Sequence, residues 1–154
     1  MDIKKDYIER LLEKFKKVRE RLLRPDVLRC DRFKKIDTPE GQIIYTTIGN
    51  TQGWWSVVCM YEDAKRVEVY DMHVFERYQD RFLRKKVYDK KKLVSEFLGR
   101  NSSGTIYIEP GNKFSKKIKD GACLGDLTED LMIIHNKTFI SEDQVDPRWQ
   151  GNLC

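Results

Sequence analysis

Hydrophobic positions recur along the chain with two different periods. From residue 3 to 23, Ile3, Tyr7, Ile8, Leu11, Leu12, Phe15, Val18, Leu22 and Leu23 fall mostly three and four apart, which predicts an amphipathic helix. Pro25 ends it, because the residue before a proline avoids helical backbone angles. Pro39-Glu40-Gly41 and Gly49-Asn50-Thr51-Gln52-Gly53 are turn signals, and the β-branched run 43–48 between them reads as a strand. Residues 54–61 and 66–70 follow as strands, separated by a turn at Glu62-Asp63-Ala64-Lys65, which makes an antiparallel meander. A helix opens at Asp71, a residue suited to N-capping, and runs to Lys86. A shorter helix covers 89–98 and stops at Gly99 and the Asn101-Ser102-Ser103-Gly104 loop. Residues 105–108 read as a strand and Pro110-Gly111-Asn112 as the start of a turn or loop. Gly121-Ala122-Cys123-Leu124-Gly125 is short and glycine-flanked. Residues 131–135 and 137–140 are the last strand-like runs, split near His135-Asn136. A polar tail, 141–154, carries Pro147 and one aromatic anchor, Trp149.

The order helix, strands, helices, strands predicts a single α+β domain over 1–154. It comprises an amphipathic helix over 1–24, an α+β core over 36–140 and the tail. The expected architecture is an antiparallel sheet with a long N-terminal helix and one or two helices packed beside the sheet. Neither Gly49-x3-Gly53 nor Gly121-x3-Gly125 has the density of a phosphate loop, so both read as turns.

Composition narrows the function classes. The 154 residues suit one domain, and 40% hydrophobic with 11% aromatic residues exclude a wholly disordered chain. No apolar run approaches the roughly 18 residues of a membrane span, so no transmembrane segment is expected. Four cysteines (Cys30, Cys59, Cys123 and Cys154) form no Cys-x-x-Cys pair, and only His73 and His135 join them, so no zinc site and no other metal or cofactor is expected. The charged N-terminus, Met1-Asp2-Ile3-Lys4-Lys5-Asp6, lacks the apolar stretch of a signal peptide. That predicts a cytoplasmic protein with reduced thiols, Cys59 buried in its strand; two disulfides are the alternative for a secreted one. The net charge of +5 is clustered at 4–24, at 84–92, and at Lys113, Lys116, Lys117 and Lys119. Such clusters suit phosphate backbones, or are a solvated surface. The N-terminal helix either docks on its own domain, pairs with a copy of itself as a homodimer through 3–23, or lies on a membrane surface.

The segment 71–82 holds the densest candidate chemistry. His73, Arg77 and Arg81 are four residues apart, which on a helix lines them up on one side. Val74, Phe75, Tyr78 and Phe82 occupy the adjoining face, against the sheet. Two guanidiniums beside an imidazole oppose its protonation, and the neutral ring accepts a proton while the arginines clamp an anion. The same residues also read as a solvated face, with Arg77 near acids and Asp80 near Arg84.

A helix with His-x3-Arg-x3-Arg beside strands, and a late strand carrying a hydroxyl, resembles the barnase/colicin/RelE-type group of small RNase toxins and their His-Arg relatives. The resemblance covers 66–140; the N-terminal helix and the first two strands depart from it. It implies a sheet that cradles RNA and metal-independent cleavage through the 2′-hydroxyl. His73 would be the general base, Arg77 and Arg81 would neutralise charge growing on the phosphate, and Thr138 would donate a hydrogen bond to it. His135 is a candidate general acid, or simply a strand-end residue. Lys137 lies beside Thr138, and Lys85 and Lys86 extend the basic surface. Trp54 and Trp55 face opposite sides of a strand, one toward the core and one available to stack a base or to pack under the first helix. The expected function is therefore nucleic-acid-directed, with RNA or another nucleic acid as partner and metal-independent RNA cleavage as the reaction. The alternative is a non-enzymatic interaction protein, or a phage-type accessory protein, that holds a protein or nucleotide partner through the same basic surface.

Overall fold

The computed structural model describes residues 13, 29–30, 32–39, 41–49, 53–61, 67–102, 104–128 and 133–141. Apart from Glu13, which is helical, and Ser141, which ends the last strand, the expected helix over 3–23, the dimer contact assigned to it, the basic cluster at 4–24 and the tail with Trp149 lie outside these residues. Among the described residues nine strands form one sheet: β1 (Arg29–Cys30), β2 (Lys34–Thr38), β3 (Gly41–Gly49), β4 (Trp55–Tyr61), β5 (Val67–Asp71), β6 (Gly104–Glu109), β7 (Lys113–Ile118), β8 (Gly121–Leu127) and β9 (Ile133–Ser141). Between β5 and β6 lie α1 (Met72–Tyr78), a π-helical turn (Gln79–Leu83) and α2 (Lys90–Arg100).

The strand order is β1-β3-β4-β5-β9-β8-β7-β6, with β2 also paired to β3. All pairs are antiparallel except β5 with β9, which run parallel. The expected fold class needs correcting on this point. The sheet is mixed, built from two antiparallel halves joined at one parallel seam. A parallel pair requires a long crossover, and here it consists of both helices and three strands, a connection that no local pattern reveals. Among the described residues no long N-terminal helix is present; the longest helix is α2, with 11 residues. No helix among them is long and apolar enough to cross a membrane.

Both helices lie on one side of the sheet. Val74, Phe75 and Tyr78 of α1 and Leu93, Val94, Phe97 and Leu98 of α2 are buried against Tyr45, Val57, Cys59, Tyr70, Cys123 and Phe139. The centre is aromatic: Tyr78 meets Phe97 edge to face at 4.9 Å and Phe139 at 5.3 Å, contacts worth about 0.5–1.5 kcal/mol each beyond burial. Cys59 and Cys123 are buried free thiols, as expected for Cys59, and burial pushes Cys123 up to about 12.

The two runs expected at 131–135 and 137–140 are one strand with a bulge. Leu124 pairs with Thr138 and Gly125 with Asn136, which leaves Lys137 as the extra residue. The bulge resets the alternation, so Ile134, Asn136, Phe139 and Ser141 are all buried. Gly125 is needed there, because a Cβ would lie 1.8 Å from the His135 carbonyl oxygen.

The cluster Lys113–Lys119, read as a basic surface, contains strand β7, whose alternation sends Lys116 inward. Its Nζ lies 2.9 and 3.2 Å from the two Glu68 carboxylate oxygens and 3.2 Å from the Tyr70 hydroxyl. Side-chain exposure is 3% for Lys116 and 5% for Glu68, so this is a buried ion pair. Asn136 Nδ2 also donates to Glu68, at 3.3 Å.

Candidate functional site

Asp71 ends β5 and stands at the N-cap position of α1, but its carboxylate makes no cap. It accepts instead from His135 Nε2, 2.6 Å away on β9. A carboxylate on Nε2 favours the tautomer with the proton there, which leaves Nδ1 as the basic nitrogen. α1 then presents His73 and Arg77 outward, as the helical spacing predicts. Glu76 Oε2 is 3.4 Å from His73 Nδ1, and Arg77 is 3.9 Å from Asp80.

Arg81 departs from the expected row. The π-helical turn carries an extra residue per turn, and Arg81 is half-buried, with Nη1 donating to the Phe139 carbonyl at 2.7 Å. The same turn ends at Arg84 in a left-handed conformation (φ 53°), before the expected end at Lys86.

The five expected catalytic residues therefore fall into three places. His73 and Arg77 are exposed on α1, and Arg81 is held against β9. His135 and Thr138 belong to the opposite side of the sheet, since Ile134, Asn136 and Phe139 occupy the helix side of β9. Thr138 lines a pocket of about 370 Å³ with Glu109, Lys113, Leu124, Asp126 and Lys137. Lys137 pairs with Asp126, and this contact, ahead of burial, holds the Asp126 carboxyl below its usual range. Lys113 and His135 add to that lowering. With Asp71, Glu109 and Asp126 against Lys113 and Lys137, the pocket and the neighbouring dyad have no excess positive charge.

Two expected residues that are distant in sequence do meet. Trp54, 36% exposed, sits edge to face with the His73 ring at 5.4 Å. Trp55 turns the other way and stacks on Phe75 at 5.2 Å, as a core residue should. Lys90 lies over the Trp55 ring at 5.4 Å, and Lys86 lies over the exposed Tyr88 ring at 5.3 Å. Lys85 is exposed beside Lys86. The surface from Trp54 through α1 to the start of α2 thus interleaves aromatic rings with cations.

The sequence reading missed one constellation. Asp120, between β7 and β8, accepts from Arg100 Nε and Nη2 at 2.8 Å each, from the Tyr78 hydroxyl at 2.7 Å and from Asn101 Nδ2 at 3.2 Å. Burial alone pushes its carboxyl up, but these hydrogen bonds outweigh burial and hold it below the usual range. Burial and then the bond to Asp120 push the Tyr78 phenol up. The three partners are 19 to 42 positions from Asp120, so no motif in the sequence joins them. Among the described residues no group of three or more His, Cys, Asp or Glu is placed to hold a metal ion. No protein-family model, curated protein or solved structure matches the chain.

Proposed function

We propose that this chain is a nucleic-acid-directed protein that holds single-stranded RNA on the surface formed by Trp54, His73, Arg77 and the cations near the start of α2. The observation that carries this reading is the contact between Trp54 and His73, with Arg77 one helical turn beyond. A flat, exposed ring offers a base a stacking face, and nearby cations meet the phosphates. Binding fits this geometry better than the five-residue catalytic set does, because Arg81 is engaged by a backbone carbonyl and Thr138 belongs to the other side of the sheet.

A second reading, metal-independent cleavage, is favoured by Glu76. Its carboxylate lies 3.4 Å from His73 Nδ1, and a carboxylate there favours the tautomer whose Nε2 accepts a proton, as a general base for a 2′-hydroxyl requires. Arg77 would then stabilise charge on the phosphate. The resemblance to small RNase toxins supports the same assignment of His73 and Arg77.

One experiment tests both readings. Fluorescence anisotropy with labelled mixed-sequence RNA is measured in EDTA, and the same samples are run on a denaturing gel. Stacking contributes about 1–3 kcal/mol per base, so Trp54→Ala should weaken binding by roughly 5- to 150-fold. His73→Ala, which removes the edge contact to Trp54, should weaken binding by less than Trp54→Ala does and lower any cleavage by roughly a hundredfold or more. Absence of binding at low salt, or full binding by folded Trp54→Ala, refutes the RNA surface. Intact RNA after prolonged incubation with binding wild type refutes cleavage and leaves the binding reading standing.

A further inference from the structure

The two ends of the sheet differ in how they are protected. At one end, β3 is flanked by β1, of two residues, and by β2, whose five residues include Lys34, Lys35 and Asp37. Short strands and charged side chains are common devices that keep a sheet edge from pairing with another chain. At the other end lies β6, Gly-Thr-Ile-Tyr-Ile-Glu over Gly104–Glu109, which among the described residues has a strand partner, β7, on one side only. β6 has six residues and no lysine, arginine or proline, and its register with β7 runs unbroken from Gly104↔Ile118 to Glu109↔Lys113. Its β-branched and aromatic centre suits a strand, and an edge strand turns a row of backbone N–H and C=O groups outward.

The apolar row of β6 is also incomplete. Ile106 packs against the small buried cluster of Phe114, Leu127 and Ile134. Ile108, two residues on, lies on the same side of the sheet, opposite Phe114. It is nonetheless 58% exposed. A second apolar strand laid against β6 would bury it, and β6 itself supplies one. Two copies related by a two-fold axis perpendicular to the sheet keep their faces aligned when opposed residues are both even or both odd in number. The register with Tyr107 on the axis sets Ile106 against Ile108 of the second copy, and Thr105 against Glu109 of the second copy. The one charged side chain of the strand then meets a hydroxyl instead of its own copy. The two isoleucine pairs extend the Phe114 cluster across the axis.

We propose that β6 pairs antiparallel with β6 of a second copy of this chain, joining two sheets edge to edge in a homodimer. This contact is distinct from the helix pairing expected over 3–23, and it does not depend on the RNA surface proposed above.

Sedimentation velocity on the full chain between about 1 and 500 µM, with amide hydrogen exchange at both ends of that range, tests the proposal. The mass should rise from that of one chain to that of two. Amides of 104–109 should gain protection as the dimer forms, whereas pairing through 3–23 would leave them unchanged. Ile108→Lys puts a cation into the apolar row of both copies, at a position exposed in the single chain. It should weaken the dimer roughly a hundredfold or more, with the circular dichroism of the monomer unchanged. The exchange measurement uses the wild type, so it decides the matter even where the variant does not fold. A single-chain mass at every concentration, a dimer without added protection at 104–109, or wild-type dimerisation by folded Ile108→Lys overturns the proposal.

Discussion

Lys116→Met removes the lysine from the buried pair with Glu68 while keeping most of its volume. The Glu68 carboxylate then loses contacts of 2.9 and 3.2 Å and keeps weaker ones, from Asn136 Nδ2 at 3.3 Å and the Tyr70 hydroxyl at 3.5 Å. Breaking a buried pair in this way costs about 3–5 kcal/mol, because one charge stays buried without its partner. Proton uptake limits the loss. Neutralising a carboxyl of ordinary pKa near 4.3 costs about 3.7 kcal/mol at pH 7 and about 1 kcal/mol at pH 5. The sign follows directly: a carboxyl that prefers its neutral form in the folded variant supports that fold at low pH and weakens it as pH rises. The variant should therefore be less stable than wild type by about 3–4 kcal/mol at pH 7, a large share of a domain's total stability, and by only about 1 kcal/mol at pH 5. Urea unfolding followed by circular dichroism at both pH values measures this. Glu68→Gln in the Lys116→Met background should recover much of the loss at pH 7, because no charge then remains buried. A deficit below about 1 kcal/mol at pH 7, or one that does not change between pH 7 and 5, would refute the buried-pair reasoning.

Three further outcomes are expected. Asp120→Asn should lower stability at pH 7, since the carboxyl is held below its usual range and contributes stability that is present above that range and lost as pH falls through it; urea midpoints between pH 7 and 3 should converge for variant and wild type at the acid end. Gly125→Ala should destabilise by about 2 kcal/mol or more, because its Cβ would collide with the His135 carbonyl at 1.8 Å and force the bulge to move; thermal unfolding measures it, and a wild-type melting temperature would refute the close approach. In a Cys30→Ser/Cys154→Ser chain, the two remaining thiols, both buried and both pushed up by burial, should react with Ellman's reagent only as fast as the protein unfolds; prompt reaction in native buffer would contradict their burial.

Much of the fold is legible in local patterns. The strands at Ile43–Ile48, Trp54–Tyr61 and Arg66–Tyr70, the helix opening after Asp71 and the helix near 89–98 all coincide with observed elements to within a few residues. Each carries its own periodicity and its own turn residues, which are properties of neighbours in the chain. β2 was illegible because its five residues, Lys34 to Thr38, include a single apolar one, Ile36, and so show no alternation, and β7 because its lysines look like surface. It was legible that Trp54 and Trp55 face different ways, one of them into the core, and that His73 is a helix residue facing out.

What the sequence by itself determined is the inventory: which segments are helix or strand, which helix face is apolar, and that exposed aromatic and basic groups are plentiful. Tertiary structure decided which of those groups meet. Only the parallel pairing of β5 with β9 brings Asp71 to His135 and Glu68 within reach of Asn136. Only the fold turns Lys116 from a surface cation into a buried partner, and gathers Arg100, Tyr78 and Asn101 around Asp120. The physical reason is range. Periodicity and capping act over one or two turns of chain, whereas a hydrogen bond between residues 68 and 136 exists only after the strands between them have found their places.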